Sequence, residues 1–272
     1  MAHLILVPTP VGNLADITQR AVQVLTDADI IAAEDTRHSG RLLQHLGLDR
    51  KLFRLDAHTI AQRAPRLLEN AGSIAYLTDA GTPGISDPGE ELVRLALGSG
   101  HSVEVLPGPT AFVPALVLSG LPLARFTFEG FLPRKGSARR ARLEQIRDST
   151  ATTVLYEAPG RAASTLKELS EVCGESRMAS LSRELSKRFE TTYRGTLAEL
   201  AGLDAAEFRG EIVICVGPQG GTDAPAGEYA RLAELLTGEG LDVRTVRSAL
   251  ELAGAPRNTA YGLSLQGQSR RG

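Results

Sequence analysis

Short apolar runs alternate with stretches of helical spacing from the first residues onward. LILV (4–7) reads as a strand, and DITQRAVQVLTDA carries the apolar spacing of a helix opened by Asp16 or Thr18. IIAAE (30–34) predicts the next strand, and SGRLLQHLG predicts a helix closed by Gly47. RLLENA leads into the strand SIAYLT, then PGEELVRLALGSG has a proline near its start and a glycine at its end, as helices do. VEVLPG (103–108) and TAFVPALVLSG complete the series as strand and helix. Strands alternating with helices predict a mostly parallel sheet covered on both faces.

The pattern changes after LSGLPLARF. FTFEGFLP reads as extended, SARRARLEQIRDS as a helix, TTVLYEAP (152–159) as a strand, and RAASTLKELSEVC as a helix. MASLSRE, TTYRGTLAEL and GEIVICVGP follow, so a second α/β unit with its own core begins near 119–123. GTDAPAG (221–227) has linker composition, the helices beyond it resemble a small helix-turn-helix unit, and SRRG reads as a frayed tail. The expected division is two α/β domains, 1–120 and 121–222, and a helical extension, 223–272.

With 272 residues, 42% of them hydrophobic and 23% charged, the chain has the composition of a globular protein large enough for two cores. Cys173 and Cys215 are too few for a disulfide framework and read as small buried residues in a reducing compartment. The first apolar run is four residues long with no basic residues ahead of it, and no later run approaches the ~18 of a membrane span. A cytoplasmic protein is expected, with no membrane partner. Charge is uneven: residues 1–120 hold 9 basic and 13 acidic side chains, 121–195 hold 14 and 9, and 196–272 hold 7 and 10. A basic middle on a chain of net charge −2 predicts one face suited to a polyanion.

Three glycine/proline loops each follow a strand directly: VPTPVGN (7–13), TDAGTPGISDP (78–88) and LPGPT (106–110). Ligands of open α/β sheets settle outside the carboxyl ends of the strands, so three such loops at one edge would form one crevice. Neither the phosphate cradle GxxxxGK[ST] nor the dinucleotide fingerprint GxGxxG is present. A cationic ligand with an adenosine-like body fits better than a triphosphate, because exposed backbone can read adenine and a carboxylate can face positive charge. S-adenosylmethionine is such a ligand.

PTPVGNLADIT, AAEDTRHSGRLL, LTDAGTPGISDPGEELV, LPGPTA, EGFLPRKG, RELSKRFE and RNTAYGLSLQ together resemble, in order and over nearly the whole chain, the family of small-subunit ribosomal RNA methyltransferases of type I. That family is a branch of the tetrapyrrole-methylase (class III) superfamily. The resemblance implies a two-domain fold with S-adenosylmethionine in the cleft between domains, a homodimer, and 2′-O-methylation of a cytidine in the decoding region of small-subunit rRNA. It implies cofactor contacts at Pro8, Thr9, Pro10, Gly12 and Asn13, at Asp79, Ala80, Gly81, Thr82, Pro83, Gly84 and Ile85, and at Pro107, Gly108 and Thr110. From the second domain it implies Tyr156, Glu157, Val216 and Gly217 as the cover over adenine. The chain departs from the usual family pattern at YEAPGR (156–161), where relatives read YESPHR, and at LDAHTI, where many carry a histidine pair. Glu157 and Arg161 keep their places.

EGFLPRKGSARRARLEQIR (129–147) sets Arg134, Lys135, Arg139, Arg140, Arg142 and Arg147 against Glu129 and Glu144, an imbalance suited to phosphate contact. Arg161, Arg183 and Arg188 extend the expected RNA-binding set, with Phe128, Phe131, Tyr156 and Phe189 as the few aromatic candidates for stacking. Methyl transfer is an in-line displacement in which alignment is worth ~7–11 kcal/mol and a general base ~10²–10⁴-fold. Candidates for the base are Glu157, Glu184, Asp87 and Lys187, the lysine only with a strongly lowered pKa. No metal is expected, and the five histidines are scattered. A methylase of a tetrapyrrole or diphthine-type substrate, and an RNA-binding module without activity, stand as alternatives.

Overall fold

The computed structural model describes residues 1–219, 226–255 and 257–269. Most of the expected linker (221–225) and the end of the tail (270–272) lie outside the described residues. In the first unit, strands β1 (His3–Leu6), β2 (Ile30–Ala33), β3 (Leu52–Arg54), β4 (Ser73–Leu77) and β5 (Ser102–Val105) alternate with helices α1 (Gln19–Asp27), α2 (Thr36–His45), α3 (Ile60–Asn70) and α4 (Gly89–Gly98). Local chemistry sets the boundaries. The Thr18 hydroxyl accepts from Ala21 N to open α1, and the Asp35 carboxylate accepts from Arg37 N to open α2. β3 was not foreseen: KLFRL offers only three strand residues between charges.

The five strands form one parallel sheet in the order β3-β2-β4-β1-β5. One face buries Leu4, Leu6, Tyr76, Ile60, Leu68 and Leu92 under α3 and α4; the other buries Ile5, Val7, Leu25, Ile31 and Leu43 under α1 and α2. The three loops leave β4, β1 and β5, which are neighbours in this order, so they emerge side by side at one rim.

Helix α5 (Phe112–Ser119) joins the units, followed by β6 (Phe126–Phe131), α6 (Ser137–Asp148), β7 (Thr152–Glu157), α7 (Pro159–Cys173), β8 (Met178–Arg183), β9 (Thr191–Thr196), α8 (Leu197–Ala201) and β10 (Ile212–Val216). The second sheet, in the order β6-β7-β10-β8-β9, is mixed: β6 and β7 run parallel, and β10 is antiparallel to both β7 and β8. The β8–β9 hairpin has no crossover helix, which makes that edge antiparallel. One face packs Leu143, Ile146, Leu155, Leu166 and Ile214 beneath α6, α7 and α8. The other packs Val154, Val213 and Cys215 against Ala115 and Leu116 of α5, a helix the sequence grouped with the first unit.

Three terminal helices, α9 (Ala226–Gly238), α10 (Val243–Leu252) and α11 (Arg257–Ser269), share a small core of Tyr229, Ala233, Val246, Leu250 and Ala260. No helix among the described residues is long and apolar enough to cross a membrane.

Candidate active site

The three loops interlock. Thr9 and Gly81 exchange backbone hydrogen bonds of 2.9 Å each way, and the Thr82 hydroxyl donates to Pro109 O at 2.9 Å. A Cβ on Gly108 would lie 2.6 Å from the Pro8 ring, so the third loop rests on the first only because residue 108 is glycine. Gly81 holds φ +80, a left-handed conformation costly for any side-chain-bearing residue. Asp87 braces the middle loop: its carboxylate accepts from the backbone N–H groups of Gly84, Ile85 and Gly89 at 2.7–3.1 Å.

These loops wall a cavity of about 440 Å³ that the second unit closes from the other side. Asp79, Ala80, Gly81, Thr82, Ile85, Asp87 and Thr110 line it with Tyr156 and Glu157, all expected from the sequence. Pro8, Thr9, Pro10, Gly12, Asn13, Pro83, Gly84, Pro107 and Gly108, also expected as cofactor contacts, do not line it. Gly12 meets the second unit directly, since a Cβ there would fall 2.4 Å from Leu185 O and 2.6 Å from the Lys187 Cγ.

Val216 and Gly217 do not belong to the site. β10 runs antiparallel to β7, so Ile212 sits beside Glu157 and Val216 beside Thr153, four residues down the strand. The start of β10, with Glu211, Ile212 and Val213, lines the cavity instead. Gly217 donates its N–H to Met178 O (2.8 Å) and accepts from the buried Arg177 guanidinium (2.8 Å), a brace at the opposite end of the sheet.

The cavity contains several residues that sequence reasoning missed, Glu34, Thr78, Ser86 and Glu211, and Phe131, expected only as a candidate for stacking on RNA. Buried Thr78 Oγ1 has no hydrogen-bond partner, and Thr110 Oγ1 has none of good geometry, its polar neighbour being the Tyr156 hydroxyl; both are groups a bound molecule would satisfy. Among the described residues no basic side chain lines the cavity, while Glu34, Asp79, Asp87, Glu157 and Glu211 do. Burial pushes the Glu34 carboxyl up, and the neighbouring Asp79 and Asp87 charges push it further. Burial likewise outweighs the backbone donors at Asp87 and raises it. A cation would relieve both. Tyr156, packed between Phe128 (5.0 Å) and Phe131 (5.6 Å), is pushed up to about 12 by burial and stays a neutral hydroxyl.

All four expected bases are engaged in hydrogen bonds or ion pairs within the protein. Glu157 is buried, its oxygens held by Ala158 N (2.9 Å), the Thr165 hydroxyl (2.6 Å) and Arg161 Nε (3.2 Å). The Asp87 oxygens hold the loop. Glu184 and Lys187 pair with each other at 3.0 Å, and Lys187 also pairs with Glu211 at 3.0 Å. Burial alone would lower the lysine, but its two carboxylate partners reverse that and leave it raised, the opposite of what a lysine base needs. The same pairing, with the Glu211 backbone, leaves Glu184 lowered despite burial.

The arginine set divides in the same way. Arg139 is 6% exposed and bonds Glu168 (2.8 and 3.1 Å), Thr165 (2.8 Å) and Pro133 O (3.1 Å), so it locks α6 to α7 and meets no partner outside the protein. Arg161 is held by Glu157 and Leu132 O (3.0 Å), and Arg183 by Glu207 (3.3 Å). Arg140 and Arg142 are exposed with surface partners Glu144 and Glu129. Arg134 and Lys135 are exposed with no acidic partner among the described residues, and Arg188 lies only over the exposed Phe189 ring at 5.4 Å.

Residues 3–201 match the model of the tetrapyrrole (corrin/porphyrin) methylases. The chain belongs to the tetrapyrrole methylase family. It is 44% identical over 266 residues to the ribosomal RNA small subunit methyltransferase I of Xylella fastidiosa, covering 94% of this chain and 97% of the relative. It is 43% identical over 274 residues to the protein of that name from Escherichia coli O157:H7, covering 98% of this chain and 96% of the relative. Among solved structures it shares the fold of a diphthine synthase (TM-score 0.63, 14% identity, 79% of this chain and 90% of that one). It also shares the fold of the Thermus thermophilus uroporphyrin-III C-methyltransferase complexed with S-adenosyl homocysteine (TM-score 0.56, 19% identity, 80% of this chain and 97% of that one).

Proposed function

We propose that this tetrapyrrole methylase transfers a methyl group from S-adenosylmethionine to small-subunit ribosomal RNA, at the 2′-oxygen of one cytidine ribose in the decoding region. The observation that carries the reading is the cavity at the rim of the parallel sheet, with its unsatisfied hydroxyls, open glycine backbone and carboxylates. Relatives at 43–44% identity that bear the rRNA methyltransferase name point to the acceptor.

S-adenosylmethionine supplies a methyl on a positively charged sulfur, which keeps the bonding pair when the methyl leaves. Thr78 and Thr110 would hydrogen-bond it, the backbone of Asp79–Thr82 would lie along it, and Glu34 with Asp79 would face its charge. Tyr156 and Phe131 would cap it from the second unit. The acceptor oxygen then needs only to be held in line, and its proton passes to solvent water as the new C–O bond forms and the C–S bond breaks. Because Glu157, Glu184, Asp87 and Lys187 are engaged within the protein, alignment, at ~7–11 kcal/mol, carries the proposed rate. Arg134, Lys135 and Arg188 remain as phosphate contacts on the second unit.

The protein would act in the cytoplasm, on rRNA or the assembled subunit, as a homodimer. Exposed Val113 and Val117, one turn apart on α5, and exposed Phe126, 6.3 Å from Phe112 of the same helix, form an apolar surface suited to a second copy. The test is incubation of unmethylated small subunits with labelled cofactor, followed by mapping of the modified nucleotide. Label at one cytidine ribose is expected; label confined to protein or to a tetrapyrrole would overturn the reading.

A further inference from the structure

The first unit is acidic as a whole, yet residues 36–66 hold seven basic side chains against two acidic ones. The fold gathers several of these at one place. β3 is an edge strand, and α3 packs behind it through Ile60, Ala64 and Leu68, leaving Arg63 and Arg66, one turn apart, on its outer side. Between strand and helix runs a groove of about 470 Å³ lined by Phe53, Arg54, Gln62, Arg63, Arg66 and Leu67. Arg63 and Arg66 are exposed and have no acidic partner among the described residues, although Glu69 stands three residues beyond Arg66. Lys51 lies over the Phe53 ring at 5.2 Å, and only Arg54 is paired, to Asp56 at 2.7 Å.

We propose that this groove is a second binding surface for the phosphodiester backbone of the RNA substrate, flanking the active-site cavity. The inference rests on the rRNA methyltransferase reading. Charged residues on an edge strand ordinarily serve to prevent strand pairing between molecules, and Lys51 and Arg54 would suffice for that. Arg63 and Arg66 are on the helix, where they protect no edge. Leu55, the residue just past the strand, donates its N–H to Ala33 O at 2.8 Å and accepts from the Tyr76 hydroxyl at 3.2 Å. Ala33 precedes Glu34 in the cavity wall, so the head of the groove stands beside the cavity, about 10 Å (two strand spacings) from the Asp79 loop. An RNA strand with its target ribose at the cavity would therefore pass a repulsive acidic mouth and meet unpaired guanidinium groups on its flank. That charge pattern favours phosphate over an acidic protein segment, because the exposed cations run from beside the rim down the flank of the sheet, along the path of a strand leaving the cavity.

The test compares wild type with the double variant Arg63→Glu/Arg66→Glu. Binding to deproteinised small-subunit rRNA is titrated across salt concentrations, methyl transfer to unmethylated subunits is followed in parallel, and S-adenosylhomocysteine calorimetry serves as the folding control. Unchanged cofactor affinity, a roughly tenfold or greater loss of RNA affinity, and a log–log salt slope flatter by about 1.4–1.8 are expected for two lost phosphate contacts. Equal RNA affinity and slope in the two proteins would overturn the proposal while leaving the methyltransferase reading intact. A defect seen with assembled subunits but not with naked RNA would assign the groove to a ribosomal protein and also overturn it. Wild type that binds RNA through the groove yet transfers no methyl to subunits would instead sink the activity alone.

Discussion

The glycine/proline loops of the first sheet and the arginine cluster of the second unit looked equally functional in the sequence, and the fold treats them in opposite ways. The loops converge and leave two buried hydroxyls and a run of backbone open toward a shared cavity. Three of the arginines turn inward, while Arg134, Lys135, Arg140, Arg142 and Arg188 stay exposed. Arg139 joins Glu168 and Thr165, Arg161 joins Glu157, and Arg183 joins Glu207. A glycine or proline after a strand constrains backbone conformation locally, so its meaning survives folding. A guanidinium reaches several ångströms, and whether it meets a carboxylate of its own chain depends on which helices become neighbours. Density of charge is therefore a weaker signal than density of turn residues.

The largest expected effect tests the inward arginines. Arg139→Ala would leave Glu168 unpaired and take a buried donor from Thr165, while Glu157 keeps Arg161, and should destabilise the fold by about 1.5–3 kcal/mol in denaturant titration. Arg134→Ala/Lys135→Ala should leave the midpoint unchanged and lower only RNA affinity. Equal stability of the two variants would break the contrast. Gly12→Ala comes next. Its methyl would press on Leu185 O and Lys187 Cγ across the cleft, costing about 1–3 kcal/mol and weakening cofactor binding by parting the two units.

Thr78→Val and Thr110→Val should act in the opposite sense on stability. Each removes a buried hydroxyl with no well-placed partner, so the free protein should be as stable or more so, while affinity for S-adenosylhomocysteine falls about five- to tenfold per site, or ~1–1.4 kcal/mol. The smallest effect concerns pH. Glu34 is raised above its ordinary 4.5, first by burial and then by Asp79 and Asp87. Its contribution to folding is thus fully present below 4.5 and is lost as pH rises through the folded value. A cation in the cavity requires the ionised form, so affinity for the sulfonium cofactor should weaken as pH falls through that raised value. Affinity for the uncharged thioether product should change less. Glu34→Gln should abolish the difference, which calorimetry at several pH values can check.

The parallel sheet was legible because apolar runs of four or five residues were punctuated by glycine and proline. β3 was not, since three residues between charges give no period. Val216 and Gly217 were misplaced because periodicity does not reveal strand direction, and the antiparallel β10 presents its beginning to the cavity. Burial of Arg139 had a signal: it shares a helical stripe with Leu143 and Ile146, the buried face of α6. Glu34 could have been found as well, standing at the end of a strand beside the capping Asp35. Glu211 had none, because its place depends on the pairing of two sheets' ends.

The most direct test of the central claim is a crystal structure with S-adenosylhomocysteine bound. The compound should fill the cavity between the Asp79–Ile85 loop and Tyr156, hydrogen-bonded to Thr78 and Thr110, with its sulfur open toward the cleft between the two units. Density for it elsewhere, or within the cavity with neither threonine hydroxyl bonded to it, would contradict the account.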